Sequence, residues 1–273
     1  MTEQNVRISS NKKIAPDHYL LAFYSRAIAK KAEPGQFLNV RINRSYEPLL
    51  RRPFGIHRVR GSRIEILYKT VGGATRVLSS KKKGQLLDVL GPLGKGFDSA
   101  LCISTDHGLG LKAKKGPAST GNILVAGGHG VAPLLMLAEK LITKKAPLFV
   151  FIGAATSAHI IRDKEFKKLG AKVYIATEDG SRGFKGLVTQ LLTKRLKSVQ
   201  KQPAPIYACG PSPMLKAISV IAKRLNVPCQ ISIEERMACG IGTCLGCAVK
   251  TVTGYKMVCK DGPVFNSGDI TWQ

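Results

Sequence analysis

The 273-residue chain is short of aromatic side chains, at 6%, and holds a single Trp. Its basic runs, at Lys81–Lys83 and Lys112–Lys115, carry no interleaved rings. The stacking platform that holds single-stranded nucleic acid is therefore not built here. Acidic residues are scarce too: 17 Asp and Glu stand against 43 Lys and Arg, a net charge of +26. Such a field favours acidic partners in general, but the charge is spread along the chain, which fits a solvated basic surface better than a nucleic-acid site. No stretch approaches the roughly 18 uninterrupted apolar residues of a membrane span. The N-terminal MTEQNVRISSNKKIAPDHYL has no signal-peptide core. The expectation is a cytoplasmic protein with no membrane partner. In that reducing compartment seven cysteines are poorly explained by disulfides. Cys102, Cys209 and Cys229 stand alone and read as buried small side chains, whereas the other four are clustered.

The pattern of apolar residues divides the chain. HYLLAFYS, GQFLNVRI, RIEILYKT and QLLDVLGP read as short strands bounded by turn residues, the grammar of a small antiparallel barrel. From Ser99 to Gly121 this regularity is lost, and the Gly, Lys, Ser and Pro content marks a connection or insertion. NILVAGGHGVAPLLMLAEKLITKK then runs strand, glycine turn, helix. PLFVFIGAA, KVYIATEDG and PIYACGPSP repeat the buried-strand pattern between helical stretches, which predicts a parallel sheet covered on both faces. From about Cys229 onward the chain returns to short strands around the cysteines.

Cys239, Cys244, Cys247 and Cys259 spell C-x4-C-x2-C-x11-C. This is the plant-type ligand spacing of a [2Fe-2S] cluster, three ligands from one loop and a fourth from elsewhere. Tetrahedral zinc is the competing occupant, but zinc usually takes two C-x2-C knuckles. Glycines at 240, 242 and 246 favour the cluster, because they let backbone N–H groups approach the sulfurs. A cluster moves one electron at a time and needs a partner in exchange, and a flavin fits.

Arg52-Pro53-Phe54-Gly55 resembles the flavin-binding strand of the ferredoxin reductase superfamily, in which the Arg neutralises the pyrophosphate and the strand backbone faces the isoalloxazine ring. Gly55 stands where that superfamily usually has Ser or Thr. Leu67, Tyr68 and Lys69, followed by Gly72, Gly73, Ala74 and Thr75, resemble its second flavin element, in which N–H groups at a helix start receive phosphate. Gly127, Gly128 and Gly130, with Pro133 replacing the last glycine of the usual fingerprint, lie between a strand and a helix, where a dinucleotide pyrophosphate can sit. Cys209-Gly210-Pro211 resembles the turn that ends a strand beside the nicotinamide. His18, His57, His107, His129 and His159 are scattered and read as surface or packing residues, so no acid–base constellation is expected. After LFVFIGAAT no acidic ribose partner is evident, and Arg162 is a candidate phosphate ligand, so the choice between NAD and NADP stays open.

Taken together, RRPFGI, GGATRVLS, AGGHGVAPL, VYIATEDGSRGFKG, YACGPSPML and ERMACGIGTCLGC resemble the electron-transfer subunits of type B dihydroorotate dehydrogenases. The resemblance implies an α+β multidomain fold: an antiparallel FAD-binding β-barrel over 1–98, a basic insertion over 99–120, an α/β NAD-binding domain with a parallel sheet over 121–228, and a small [2Fe-2S] domain over 229–273. It implies FAD, a [2Fe-2S] cluster and NAD, and a separate FMN-bearing subunit that oxidises dihydroorotate, two of each chain assembling together. Electrons from that subunit would pass through the cluster and FAD to NAD⁺, in pyrimidine biosynthesis. The alternatives are an NAD(P)H-linked subunit of a hydrogenase or ferredoxin transhydrogenase and, from a different class, a basic nucleic-acid-binding protein with a structural metal.

Overall fold

The computed structural model describes residues 2–43, 47–100, 121–143, 146–197 and 204–272. Most of the insertion expected over 99–120, with Cys102 and His107, lies outside the described residues. Six antiparallel strands close a barrel in the order β1-β2-β5-β4-β3-β6: β1 Thr2–Ala15, β2 His18–Tyr24, β3 Phe37–Arg41, β4 Arg52–Arg60, β5 Arg63–Lys69 and β6 Leu86–Leu93. Alternating apolar positions such as Val6 and Ile8, Leu38 and Val40, or Leu87 and Val89 point inward and are buried, as the two-residue period of a strand requires. A one-turn helix, α1 (Arg26–Ala29), and the eight-residue α2 (Gly73–Ser80) plug the barrel ends with Ile28 and Leu78, both buried.

The second unit is a seven-stranded sheet ordered β10-β9-β8-β7-β11-β12-β15. Its members are β7 Asn122–Gly127, β8 Leu148–Ala154, β9 Lys172–Thr177, β10 Phe184–Lys185, β11 Ile206–Cys209, β12 Cys229–Ser232 and β15 Val264–Asn266. All pairs are parallel except β12 with β15. Helices α3 (Val131–Ile142), α4 (Asp163–Lys168), α5 (Val188–Lys197) and α6 (Ser212–Leu225) supply the crossovers. Strand order reverses between β7 and β11, which opens a crevice at their carboxyl ends, the position where open α/β sheets bind ligands. A hairpin, β13 (Ala248–Thr251) and β14 (Gly254–Met257), completes the C-terminal segment.

Two features differ from the sequence reading. β1 was not foreseen, because its second half, Ser9 to Lys13, is a polar run that hides the alternation begun by Val6 and Ile8. The segment from Cys229 is also less separate than expected: β12, parallel, and β15, antiparallel, extend the seven-stranded sheet, and only the residues between them form the cysteine loop and hairpin. No described helix is long and apolar enough to cross a membrane.

The two units are tied together where it matters for the crevice. His57 on β4 donates from Nδ1 to the Ala132 carbonyl of α3 at 2.7 Å, and Arg58 reaches Glu139 at 2.9 Å. Burial pushes the His57 pKa down to about 3, so the ring is neutral and holds the tautomer this bond needs.

Candidate functional site

The glycine turn is shaped by close approach. A β-carbon on Gly130 would stand 2.0 Å from the Cys209 carbonyl oxygen, and one on Gly127 would meet Met214 and Pro211 at 2.7 Å. A β-carbon on Gly210 would in turn stand 3.0 Å from the Gly127 Cα. The two βα turns on either side of the switch point can therefore touch only as glycine. A 3₁₀ turn, Gly128–Gly130, runs straight into α3, which starts at Val131 with no side-chain cap. Pro133 sits in the first turn of α3, where a missing N–H costs nothing. A cavity of about 620 Å³ opens here, lined by Gly127, Gly128, Gly130, Gly210 and Pro211 among others.

A second cavity, of about 430 Å³, is lined by Arg52, Pro53, Phe54 and Gly55 from β4, Leu67, Tyr68 and Lys69 from β5, then Thr75, Pro133 and Cys209. Ala74 is buried in α2 behind this wall. The Thr75 hydroxyl accepts from the N–H groups of Val71 and Gly72 at 2.9 and 3.1 Å, which folds the loop onto the helix start. The Arg52 guanidinium donates to the Leu50 carbonyl at 2.8 Å. Gly55 and Pro133, the two departures from the expected motifs, are neighbours: a β-carbon on Gly55 would meet the Pro133 Cβ at 4.0 Å.

Lys69, His129 and Glu234 border both cavities. Glu234 is open to them yet ringed by protein, and this desolvation raises its carboxyl pKa. The Cys209 thiol is fully enclosed, and burial followed by the nearby Glu234 pushes its pKa up, so it stays protonated. Sequence reasoning missed the junction's histidines. His18, His129 and His159, expected as unrelated packing residues, stand together, with ring centroids 5.7 Å apart for His18–His129 and 6.3 Å for His18–His159. No local signal announces them, since β2 supplies the first and the turns after β7 and β8 the others. Arg162, a candidate phosphate ligand, is instead ion-paired with Glu165 at 2.5 Å.

The cysteine loop packs on the barrel, where Asn39 of β3 donates to the Cys239 carbonyl at 3.1 Å. Gly240, Gly242 and Leu245 take positive φ values of 72°, 85° and 57°. That winding aims N–H groups at sulfur: Ile241 and Thr243 donate to Cys239 Sγ at 3.5 and 3.4 Å, and Cys259 donates to Cys247 Sγ at 3.4 Å. Burial would raise the Cys239 pKa, but the Thr243 hydroxyl and these N–H donors outweigh it and bring the thiol down to about 5. Cys259 goes the other way, to about 12, through burial and the adjacent Cys247. Cys239 interacts with Cys244, and Cys259 with both Cys247 and Cys239, so the four thiols are neighbours. Among the described residues no group of three or more His, Cys, Asp or Glu converges as a mononuclear centre requires.

Residues 234–271 match the family model described as the iron-sulfur cluster binding domain of dihydroorotate dehydrogenase B, and residues 124–219 match the oxidoreductase NAD-binding domain. The dihydroorotate dehydrogenase B (NAD(+)) electron transfer subunit of Desulforamulus reducens is 38% identical over 95% of both chains. That of Caldanaerobacter subterraneus is 39% identical over 98% of both. The chain belongs to the family of dihydroorotate dehydrogenase B electron transfer subunits. Like the rest of that family it is an oxidoreductase subunit, with an iron-sulfur segment and an NAD-binding segment. Among solved structures, a chain of an electron-bifurcating NADH-dependent reduced ferredoxin-NADP oxidoreductase superposes with a TM-score of 0.81 at 29% identity, over 98% of this chain and 90% of that one. A Neisseria gonorrhoeae ferredoxin NADP⁺ reductase with bound FAD and NADP shares the fold, with a TM-score of 0.66 at 13% identity, over 82% of this chain and 92% of that one. The barrel and the parallel sheet of this chain thus share the fold of that reductase.

Proposed function

We propose that this chain is the electron-transfer half of an NAD-linked dihydroorotate dehydrogenase of the cytoplasm, pairing two-and-two with an FMN-bearing catalytic subunit. The observation that carries this reading is that the two cavities share Lys69, His129 and Glu234, so that a flavin in one and a nicotinamide in the other would be neighbours.

Arg52 to Gly55, Leu67 to Lys69, Ala74 and Thr75 are the residues that would hold FAD, with the N–H groups at the start of α2 turned to its phosphates. The fit is supported by a cavity that combines an apolar wall, Pro53, Phe54, Leu67 and Pro133, with a helix start. Gly127, Gly128, Gly130, Gly210 and Pro211 would cradle NAD, and Cys239, Cys244, Cys247 and Cys259 would ligate the [2Fe-2S] cluster, fitted by the neighbouring thiols and their N–H donors. When bound, flavin exchanges either one or two electrons, which reconciles a one-electron cluster with a hydride carrier. The chain's own contribution is placement: β4 and α3, pinned by His57 and Arg58, fix the distance between the cavities, and the neutral Cys209 thiol and the apolar walls keep water out. A ferredoxin-linked transhydrogenase subunit is the second reading, favoured by the likeness to the bifurcating reductase.

Anaerobic purification should give yellow-brown protein with one FAD and about two irons per chain, bleached by NADH, and co-purifying with an FMN protein that oxidises dihydroorotate. Colourless protein holding zinc would refute the cofactor assignment, and a ferredoxin-reducing partner would favour the second reading.

A further inference from the structure

The large sheet ends at an edge that is built like its middle. β9 reads Lys-Val-Tyr-Ile-Ala-Thr, the near-continuous apolar run of a strand covered on both faces. Yet Val173, Tyr174 and Ile175 are only half-buried, and β10 pairs with β9 at Ala176 and Thr177 alone. Gly186 donates to the Thr177 carbonyl, and a β-carbon on Gly183 would stand 2.3 Å from the Ile175 carbonyl oxygen, so both carbonyls point to the β10 side. By the two-residue period of a strand the N–H and C=O of Val173 point the same way, and no described strand stands opposite them. A groove of about 610 Å³ runs along this edge between α4 and α5, and it shares no lining residue with the two cavities described above. Val173 and Ile175 belong to the apolar layer of Phe166 and Leu169 on the α4 side, and Tyr174 to that of Leu191 and Leu196 on the α5 side.

The charge along this edge is of one sign. Lys167 of α4 and Lys194 and Arg195 of α5 line the groove with exposed side chains, Lys172 is exposed at the start of the strand, and among the described residues no carboxylate lines it. Arg182, also in the lining, is paired with Asp163. The Arg195 guanidinium lies 4.8 Å from the centre of the Tyr174 ring and the Lys194 ammonium 5.9 Å from that of Phe184, which holds both cations at the α5 wall. Two copies meeting edge to edge would bring these cations together, which disfavours self-pairing. We propose that the free edge of β9 is a docking site for an extended acidic segment of a partner protein, which adds a further strand to the seven-stranded sheet. Val173 would exchange main-chain hydrogen bonds with that segment. Its side chains would alternate, apolar ones toward Val173 and Ile175 and carboxylates toward Lys194 and Arg195. The free stretch, Lys172 to Ile175, offers roughly 13 Å of edge at the rise of a strand.

Labelled peptides of about eight residues test this on the full-length holoprotein, with anisotropy and hydrogen exchange as readouts. A peptide that alternates Val and Glu should bind, weaken as salt rises, and slow exchange at the Val173 amide. The same peptide with a central Pro keeps its charge but loses main-chain pairing. One that alternates Val and Lys keeps the pairing but reverses the charge. Each should bind at least about tenfold more weakly. Lys194→Glu changes an exposed helix residue, so the melting temperature and NADH-driven flavin reduction should be unchanged while affinity for the Val–Glu peptide falls about tenfold. Failure of the Val–Glu peptide to bind would overturn the site and leave the cations as guards against edge pairing. Equal binding of the proline peptide, or of the Val–Glu peptide to the Lys194→Glu variant, would overturn strand addition at this groove. A dimer in sedimentation with the Val173 amide already protected would give the edge to a second copy of the chain and overturn the acidic partner.

Discussion

At Gly130 a β-carbon would stand 2.0 Å from a backbone carbonyl oxygen, that of Cys209; at Gly242 it would stand 2.8 Å from the Cδ of Lys260, a flexible side chain. Both loops are glycine-rich, but the turn after β7 needs glycine so that two backbones can touch. The cysteine loop needs it for a φ of 85° that turns N–H groups toward sulfur. In the proposed reading the first loop would offer main chain as its binding surface, and it has no room for side chains at Gly127 and Gly130. The second makes one out of thiols and should lose its function at a single side chain while keeping its shape.

The largest expected effect tests that last statement. Cys244 is exposed, so Cys244→Ser should fold normally. It should lose the cluster and abolish coupled dihydroorotate:NAD⁺ turnover, whereas reduction of bound FAD by NADH survives. Iron analysis and stopped-flow absorbance would check this, and intact coupled turnover would contradict the ligand assignment. Next comes Gly130→Ala, where neither backbone can yield. A loss of about 3 kcal/mol of stability is expected, together with loss of NADH-driven flavin reduction. Gly242→Ala should be milder, about 1–2 kcal/mol, because Lys260 can swing aside and only the left-handed backbone is penalised. Thermal unfolding of the two alanine variants side by side would measure the contrast; equal losses would refute it.

The same contrast explains what could be read from the chain. The cysteine spacing is local, so four side chains within one short stretch declare themselves, as do the apolar runs of β7, β8, β9 and β11. The glycine turn was legible as a turn, but that Gly130 rests on the Cys209 carbonyl depends on β7 and β11 being neighbours, which pairing across the sheet decides. The histidine group was invisible for the same reason. His18 ends up beside His129 only because β2 and the turn after β7 meet across the two units. Likewise Cys229 reads as a lone buried thiol, and only the sheet order shows β12 serving as the base on which the loop is mounted.

Gly55 is the smallest test and the sharpest for the comparison, since its neighbourhood makes neither demand. Its φ is not in the left-handed region, and a β-carbon would find only the Pro133 Cβ, at the ordinary contact distance of 4.0 Å. Glycine is therefore not required for the fold here, and Gly55→Ser should change stability by no more than about 0.5 kcal/mol. The added hydroxyl would enter the cavity wall lined by Gly55. A hydrogen-bond donor in that wall should shift the flavin reduction potential and the rate of NADH oxidation without changing the melting temperature. A loss of stability comparable to that of Gly130→Ala would mean that β4 and α3 are packed as tightly as the two βα turns.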